Sequence, residues 1–121
     1  MRALAFAVAL AGALLPLAAL PQGGTAPSGK QLFERRCAGC HSVDRDKEGP
    51  RLRGVYGRRA ASGTSFSYSE ALKQARLNWD DETLDRWLTD SEKLVPATDM
   101  PVRVESAADR AAIIEYLKSQ K

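Results

Sequence analysis

The five residues Cys37-Ala38-Gly39-Cys40-His41 restrict what this chain can become more than any other stretch. Two thiols flank two small residues, and an imidazole follows at once. This C-x-x-C-H spacing is the attachment signature of a c-type haem. The chemistry requires the order. Each thiol adds to one vinyl group as a thioether, and the next residue offers its imidazole to the iron. Ala38 and Gly39 are small, so the segment can lie flat against a porphyrin.

Other uses of these residues are weaker. A thioredoxin-like disulfide belongs in a βαβ pattern, and none surrounds the two cysteines. Zinc would find three ligands only, since the chain has two cysteines and one histidine, and would need a carboxylate as the fourth. A chance match is opposed by two further features: an N-terminus of the exported type, and a methionine placed to serve as a second axial ligand.

Residues 3–20 are almost wholly apolar, Arg2 precedes them, and no acid occurs before Glu34. A basic start and an apolar run predict a secretory signal peptide over residues 1–20. The alternative is a retained membrane anchor. The run of 18 residues sits at the lower limit for a spanning helix, and Gly12 and Pro16 weaken it. Both readings place the rest of the chain outside the cytoplasm. Residues 21–28, rich in Gly, Pro and Ser, read as a linker. One domain is expected over residues 29–121, small for a protein-only core but adequate with a buried cofactor. All 15 acids and 17 of the 18 Lys/Arg lie beyond Arg2, a net charge of +2. No basic-aromatic pattern accompanies it, so nucleic acid is not an expected partner.

Ser28 can cap a helix over about residues 29–37, with Leu32 and Phe33 on one side and Cys37 four residues after Phe33. Residues 42–68 show little periodicity and contain Gly49-Pro50, Gly54, Gly57 and Gly63. So long an irregular stretch is unusual in a small domain. It is expected to be ordered by wrapping the cofactor, with Leu52, Val55, Tyr56, Phe66 and Tyr68 as apolar contacts. Ser69 caps a short helix to about residue 75. Asp80 opens another, with Asp81 and Glu82 in its first turn and Leu84, Trp87 and Leu88 on one face. Ser106-Ala107-Ala108-Asp109 has the form of a capping box for a last helix with a stripe of Ile113, Ile114 and Leu117, Tyr116 alongside. No strand alternation or repeat is visible. The class is all-α.

The second axial ligand decides the function. A haem iron with one protein ligand is open to gas or peroxide, whereas two strong ligands confine it to electron exchange. There is no second histidine, and apart from Met1 the only methionine is Met100. It lies between Pro96 and Pro101, in a loop rather than on a helical stripe. The competing role is a gap-filling core methionine. As an axial thioether it would favour Fe(II) and raise the potential.

Taken together, these segments resemble the small soluble class I cytochromes c, the mitochondrial type and its bacterial relatives. The resemblance runs over residues 29–117. It implies three to five helices wrapped around one covalently attached haem c, with crossing terminal helices where Gly29 and Phe33 meet Tyr116 and Leu117. Residues 49–58 are similar to the family's proximal loop, which implies that the Pro50 carbonyl accepts the His41 ring N–H. Phe66-Ser67-Tyr68-Ser69 and Trp79 match the haem floor. Tyr68 and Trp79 would then bond a buried propionate whose charge Arg58 offsets. Val95-Pro96-Ala97-Thr98-Asp99-Met100 matches the axial methionine loop, which adds Thr98 to the cofactor-binding set. The implied site is thus Cys37 and Cys40 as thioethers, His41 and Met100 on the iron, and Pro50, Arg58, Tyr68, Trp79 and Thr98 around the ring.

Departures from the family pattern carry their own expectations. Trp87 replaces a tyrosine that bonds the methionine sulfur, and an indole can donate but not accept. Leu72 replaces an asparagine near the propionate. Val102 replaces a phenylalanine over the haem edge. Glu92 and Asp99 replace lysines of the docking face. The charge remains uneven: residues 30–59 hold nine Lys/Arg and four Asp/Glu, and residues 60–121 hold eight and eleven. Arg35, Arg36, Arg45, Lys47, Arg51 and Arg53 could steer the molecule toward acidic partners. The resemblance implies a monomeric, non-enzymatic, periplasmic one-electron carrier. Its partners would be membrane respiratory or photosynthetic complexes, or periplasmic redox enzymes. Contact with a membrane would follow only if the N-terminal segment is retained. The rival is an open-site haem enzyme or sensor with a labile Met100.

Overall fold

The computed structural model describes residues 23–121. The signal peptide or anchor expected over residues 1–20 lies outside the described residues, as does the start of the linker. Ser28 holds an extended backbone and opens helix α1, Gly29–Arg36. Its hydroxyl accepts the Gln31 amide, and the Gln31 side chain accepts the Ser28 amide in return. Such a cap contributes about 1 kcal/mol. Ser69 caps α2, Glu70–Gln74, and Asp80 caps α3, Asp81–Thr89, through reciprocal bonds with Thr83. Asp90 ends α3 and caps a further short helix, α4, Ser91–Leu94, which the sequence pattern did not predict. Ser106 opens α5, Ala107–Ser119. The fold is all-α. Among the described residues there is no strand, only an isolated antiparallel bridge between Arg59 and Asn78.

The capping box expected at α5 is half made. Ser106 accepts the Asp109 amide at 3.2 Å. The Asp109 carboxylate faces Arg36 of α1 at 3.6 Å, where opposite charge competes with the return bond. The two helices cross as the sequence resemblance implied. At Gly29 a Cβ would run into the Ala112 carbonyl and lie 2.9 Å from Tyr116 Cβ, so only glycine allows this approach. Phe33 and Tyr116 rings meet at 5.2 Å. Leu32, Phe33, Ile113, Ile114 and Leu117 are buried in the seam. Each fully buried side chain of this size stabilises the fold by about 1.5–3 kcal/mol.

Residues 37–69 form no helix but are pinned by backbone bonds. Gly49 N–H reaches the Cys40 carbonyl at 2.8 Å, Leu52 reaches Ser42 at 3.0 Å, and Gly54 reaches Gln120 at 2.7 Å. Gly57 donates to the Trp79 carbonyl at 2.6 Å, and the Trp79 amide donates to the Arg58 carbonyl at 2.9 Å. The left-handed φ of Gly57, 83°, lets the chain turn into that pairing. Trp79 and Arg58 are therefore brought side by side from segments 21 residues apart.

Candidate functional site

The helices and the long irregular segment enclose a cavity of about 580 Å³. All nine residues singled out in the sequence line it: Cys37, Cys40, His41, Pro50, Arg58, Tyr68, Trp79, Thr98 and Met100. The rest of the lining is largely apolar, with Phe33, Leu72, Leu84, Trp87, Leu88, Ile113 and Leu117 among it. A mostly apolar hollow with a few placed polar groups is the ordinary form of a cofactor site.

His41 is 6 % exposed. Its Nδ1 lies 2.8 Å from the Pro50 carbonyl. A carbonyl can only accept, so Nδ1 carries the proton and Nε2 keeps its lone pair for a metal. Gly49 presses on the same ring. A Cβ there would stand 2.5 Å from Cε1 and 2.8 and 2.9 Å from the two nitrogens. Burial pushes the Cys37 thiol up, against the lowering effect of Arg36. Cys40 is exposed, its Sγ 3.5 Å from a Glu48 carboxylate oxygen. Among the described residues no three His, Cys, Asp or Glu side chains gather as a metal cluster, which the zinc reading would require.

The aromatic residues divide between floor and core. Phe66 and Tyr68 meet edge to face at 5.1 Å, and Trp79 and Trp87 at 5.2 Å. Gly63 admits the Tyr68 hydroxyl where a Cβ would block it. Asp46 orders this side of the cavity, accepting from Ser65 Oγ at 2.6 Å and from the Arg51 amide at 2.8 Å. Those two bonds hold its carboxyl below the usual carboxylate range.

The methionine segment is held differently. Thr98 N–H donates to the Val95 carbonyl at 3.2 Å, closing a turn with Pro96 and Ala97 at its centre. Ala97 sits at φ 65°, the left-handed region where a turn of this kind prefers glycine. Thr98 Oγ1 accepts the Met100 amide at 3.3 Å. Val102 departs from expectation. It does not line the cavity, and Pro101 does so instead. The Val102 backbone is turned to Ser91, both of its polar groups bonded there.

Sequence reasoning missed four contributors. Gly49 reads as a turn residue, whereas its work is to clear the imidazole. Ser91 gave no signal. Glu48 and Asp99, both exposed, line the cavity, while none of the six basic residues that could steer partners does so. Of those six, Arg53 is paired with Asp44 at 2.6 Å, Arg36 with Asp109, and Lys47 donates to the Ala38 carbonyl at 2.6 Å.

The donor set suits one group. An imidazole with a free Nε2, a thioether and two thiols at C-x-x-C-H spacing, all on one apolar hollow, define a c-type haem protein. The family model described as Cytochrome c matches residues 26–121, and the chain belongs to that family. Cytochrome c of Gibberella zeae is 41 % identical over 100 residues, 79 % of this chain and 94 % of that protein. Cytochrome c of Euglena viridis is 41 % identical over 101 residues, 81 % of this chain and 99 % of that one. "Cytochrome c-type cyt cy" of Rhodobacter capsulatus is 41 % identical over 98 residues, 79 % of this chain but 49 % of that protein. Among solved structures, cytochrome cH from Methylobacterium extorquens aligns with a TM-score of 0.72 at 36 % identity, over 75 % of this chain and 94 % of its own. The family carries one covalently attached haem c and consists of electron carriers; Cys37, Cys40 and His41 fit its attachment motif.

Proposed function

We propose that the protein is a periplasmic one-electron carrier with His41 and Met100 as the axial ligands of its haem. The observation that carries this reading is the cavity lined at once by both cysteines, the buried His41 and Met100. When bound, the haem supplies an iron that accepts and returns one electron. The chain's own residues set the conditions. Cys37 and Cys40 tether the ring, and the Pro50 carbonyl orients His41 and fixes its tautomer. Met100 supplies a soft ligand that favours Fe(II). Tyr68 and Trp79 offer donors to a propionate, Arg58 offsets its charge, and Thr98 has a hydroxyl proton left to give. Leu72, Leu84, Leu88 and Ile113 exclude water.

The apolar run of residues 3–20 behind Arg2 supports export to the periplasm, with residues 1–20 either cleaved as a signal peptide or retained as an anchor. Among the described residues no helix is long and apolar enough to cross a membrane. The proposed partners are respiratory or photosynthetic membrane complexes or periplasmic redox enzymes, and the polypeptide itself makes and breaks no bonds in turnover.

The test is Met100→Ala in the haem-loaded protein. Wild type should show the far-red absorption of an Fe(III)–S bond, and the variant should lack it. Its potential should fall by about 100 mV or more, close to two tenfold losses of Fe(II) preference at 59 mV each. It should also gain carbon monoxide binding. A variant with wild-type potential and no new ligand binding would make Met100 a packing residue. Carbon monoxide binding by wild type itself would favour the open-site enzyme or sensor.

A further inference from the structure

The segment around Met100 has few ways to be tied down. Pro101, which follows it, has no N–H to donate. The Met100 amide is spent inside the loop, on Thr98 Oγ1. What remains to hold the segment is the Met100 carbonyl and the backbone of Val102. All of it goes to one residue.

Ser91 Oγ donates to the Met100 carbonyl at 2.6 Å and accepts the Val102 amide at 2.8 Å. The Ser91 amide donates to the Val102 carbonyl at 3.2 Å, and its own carbonyl accepts from Val95 at 2.8 Å. Every polar atom of Ser91 is used, and the residue is 0 % exposed. A hydroxyl is well suited to this place because it donates and accepts at once. Ser91 begins α4, and Asp90 joins α4 directly to α3. Trp87 and Leu88 of α3 line the cavity. One side chain thus links the backbone on both sides of Pro101 to a wall of the site.

We infer that Ser91 is the positioning residue for Met100: its hydroxyl fixes the backbone that aims the thioether. The inference rests on the reading of Met100 as the sixth ligand. Removing the hydroxyl leaves the Met100 carbonyl and the Val102 amide without their buried partner. The segment then leaves its bound arrangement more often. A competing ligand binds only the fraction of molecules with the sixth position free, so its apparent affinity rises with that fraction.

The experiment compares haem-loaded wild type, Ser91→Ala, Ser91→Cys, Ile114→Val and Met100→Ala. Imidazole is titrated into the oxidised proteins, and the far-red Fe–S band is recorded. Ser91→Ala should bind imidazole about tenfold more tightly, the order expected for loss of a buried hydrogen-bond partner. Its far-red band should weaken or shift. Ser91→Cys, close in size but a poor hydrogen bonder, should shift imidazole affinity and the band the same way as Ser91→Ala, and serves in its place if alanine disturbs folding. Ile114→Val trims a buried side chain that does not line the cavity. It should lower the unfolding midpoint while leaving imidazole affinity at the wild-type value.

Two results overturn the inference while sparing the Met100 assignment. One is a full band and wild-type imidazole affinity in Ser91→Ala while Met100→Ala loses its band. The other is an equal rise in imidazole affinity in Ile114→Val, which would reduce the effect to general loosening. A wild type without the band overturns the ligand reading, and the inference falls with it.

Discussion

His41 and Met100 are each bonded to a residue nine positions away, yet the bonds act on different parts of them. For His41 the bonded atom is on the ring, Nδ1 to the Pro50 carbonyl. For Met100 it is on the backbone, the carbonyl to Ser91 Oγ. Among the described residues no hydrogen bond reaches the Met100 sulfur. In the folded chain the imidazole is therefore fixed in tautomer and rotation. The thioether is fixed only in where its chain starts. Flanking restraints widen the gap. His41 directly follows Cys40, stands four residues after Cys37, and lies under Gly49. Met100 adjoins a proline and follows a turn with Ala97 in the left-handed region, which costs about 1–2 kcal/mol for a residue with a Cβ. The His41 end of the site is thus the more tightly held and the Met100 end the softer; under the proposed ligation, the Met100 end is the one a competing ligand would open.

The sharpest way to break this comparison is His41→Ala. With one histidine in the chain, nothing can take its place beside the tether. The variant should keep covalent haem but lose the low-spin spectrum entirely. A normal low-spin spectrum would mean that the ligand is elsewhere and that the stiff end is only packing.

A smaller effect is expected from Gly49→Ala. The new Cβ would overlap the imidazole on three ring atoms, and the nearest relief is to break the Pro50 bond or move the loop. Overpacking of this kind costs about 1–3 kcal/mol, to be read from chemical unfolding of the haem-loaded protein. The far-red band should change little, because the methionine end is not touched. A loss under about 0.5 kcal/mol, within the range of an ordinary surface change, would show that the ring yields freely.

The stiff end was the legible one, and for a physical reason. Cys37, Cys40 and His41 fall within five consecutive positions, so their joint chemistry is visible without knowing the fold. Helix starts were legible on similar grounds, since Ser28, Ser69 and Asp80 act within three residues of themselves. The stripe of Ile113, Ile114 and Leu117 follows helical period. Failures arose where a side chain serves something its neighbours do not announce. Helix α4 has four residues, too few for a period, and three of them are polar. Ser91 resembles any surface serine in sequence, yet it is fully buried because Val102 turns back to meet it. Asp109 sits correctly for a capping box, but Arg36 arrives from the other end of the chain. Gly49 looks like a turn because its true neighbour, the His41 ring, lies eight residues back.

The smallest expected effect sharpens the comparison at the soft end. Asp90 caps α4 through the Lys93 amide at 3.1 Å, and Arg103 contacts the same carboxylate. The Lys93 bond and, after it, the Arg103 bond hold the Asp90 carboxyl below the usual carboxylate range, against desolvation. A carboxyl depressed in the folded state adds stability above its unfolded pKa, about 3.9 for aspartate. That contribution is lost as pH falls through the lower, folded value. The substitution Asp90→Asn keeps a good helix cap, since asparagine and aspartate are nearly equal in that place. It removes the charge that strengthens both bonds. Wild type should therefore exceed the variant slightly in unfolding midpoint at pH 7, by an amount limited by solvent screening. The margin should close as the solution is taken below pH 4, and the far-red band of wild type should weaken over the same interval before the His41 end changes. A margin constant with pH would place the work of Asp90 in its shape alone. The softness of the methionine end would then rest on Ser91 and the Ala97 turn, without help from charge.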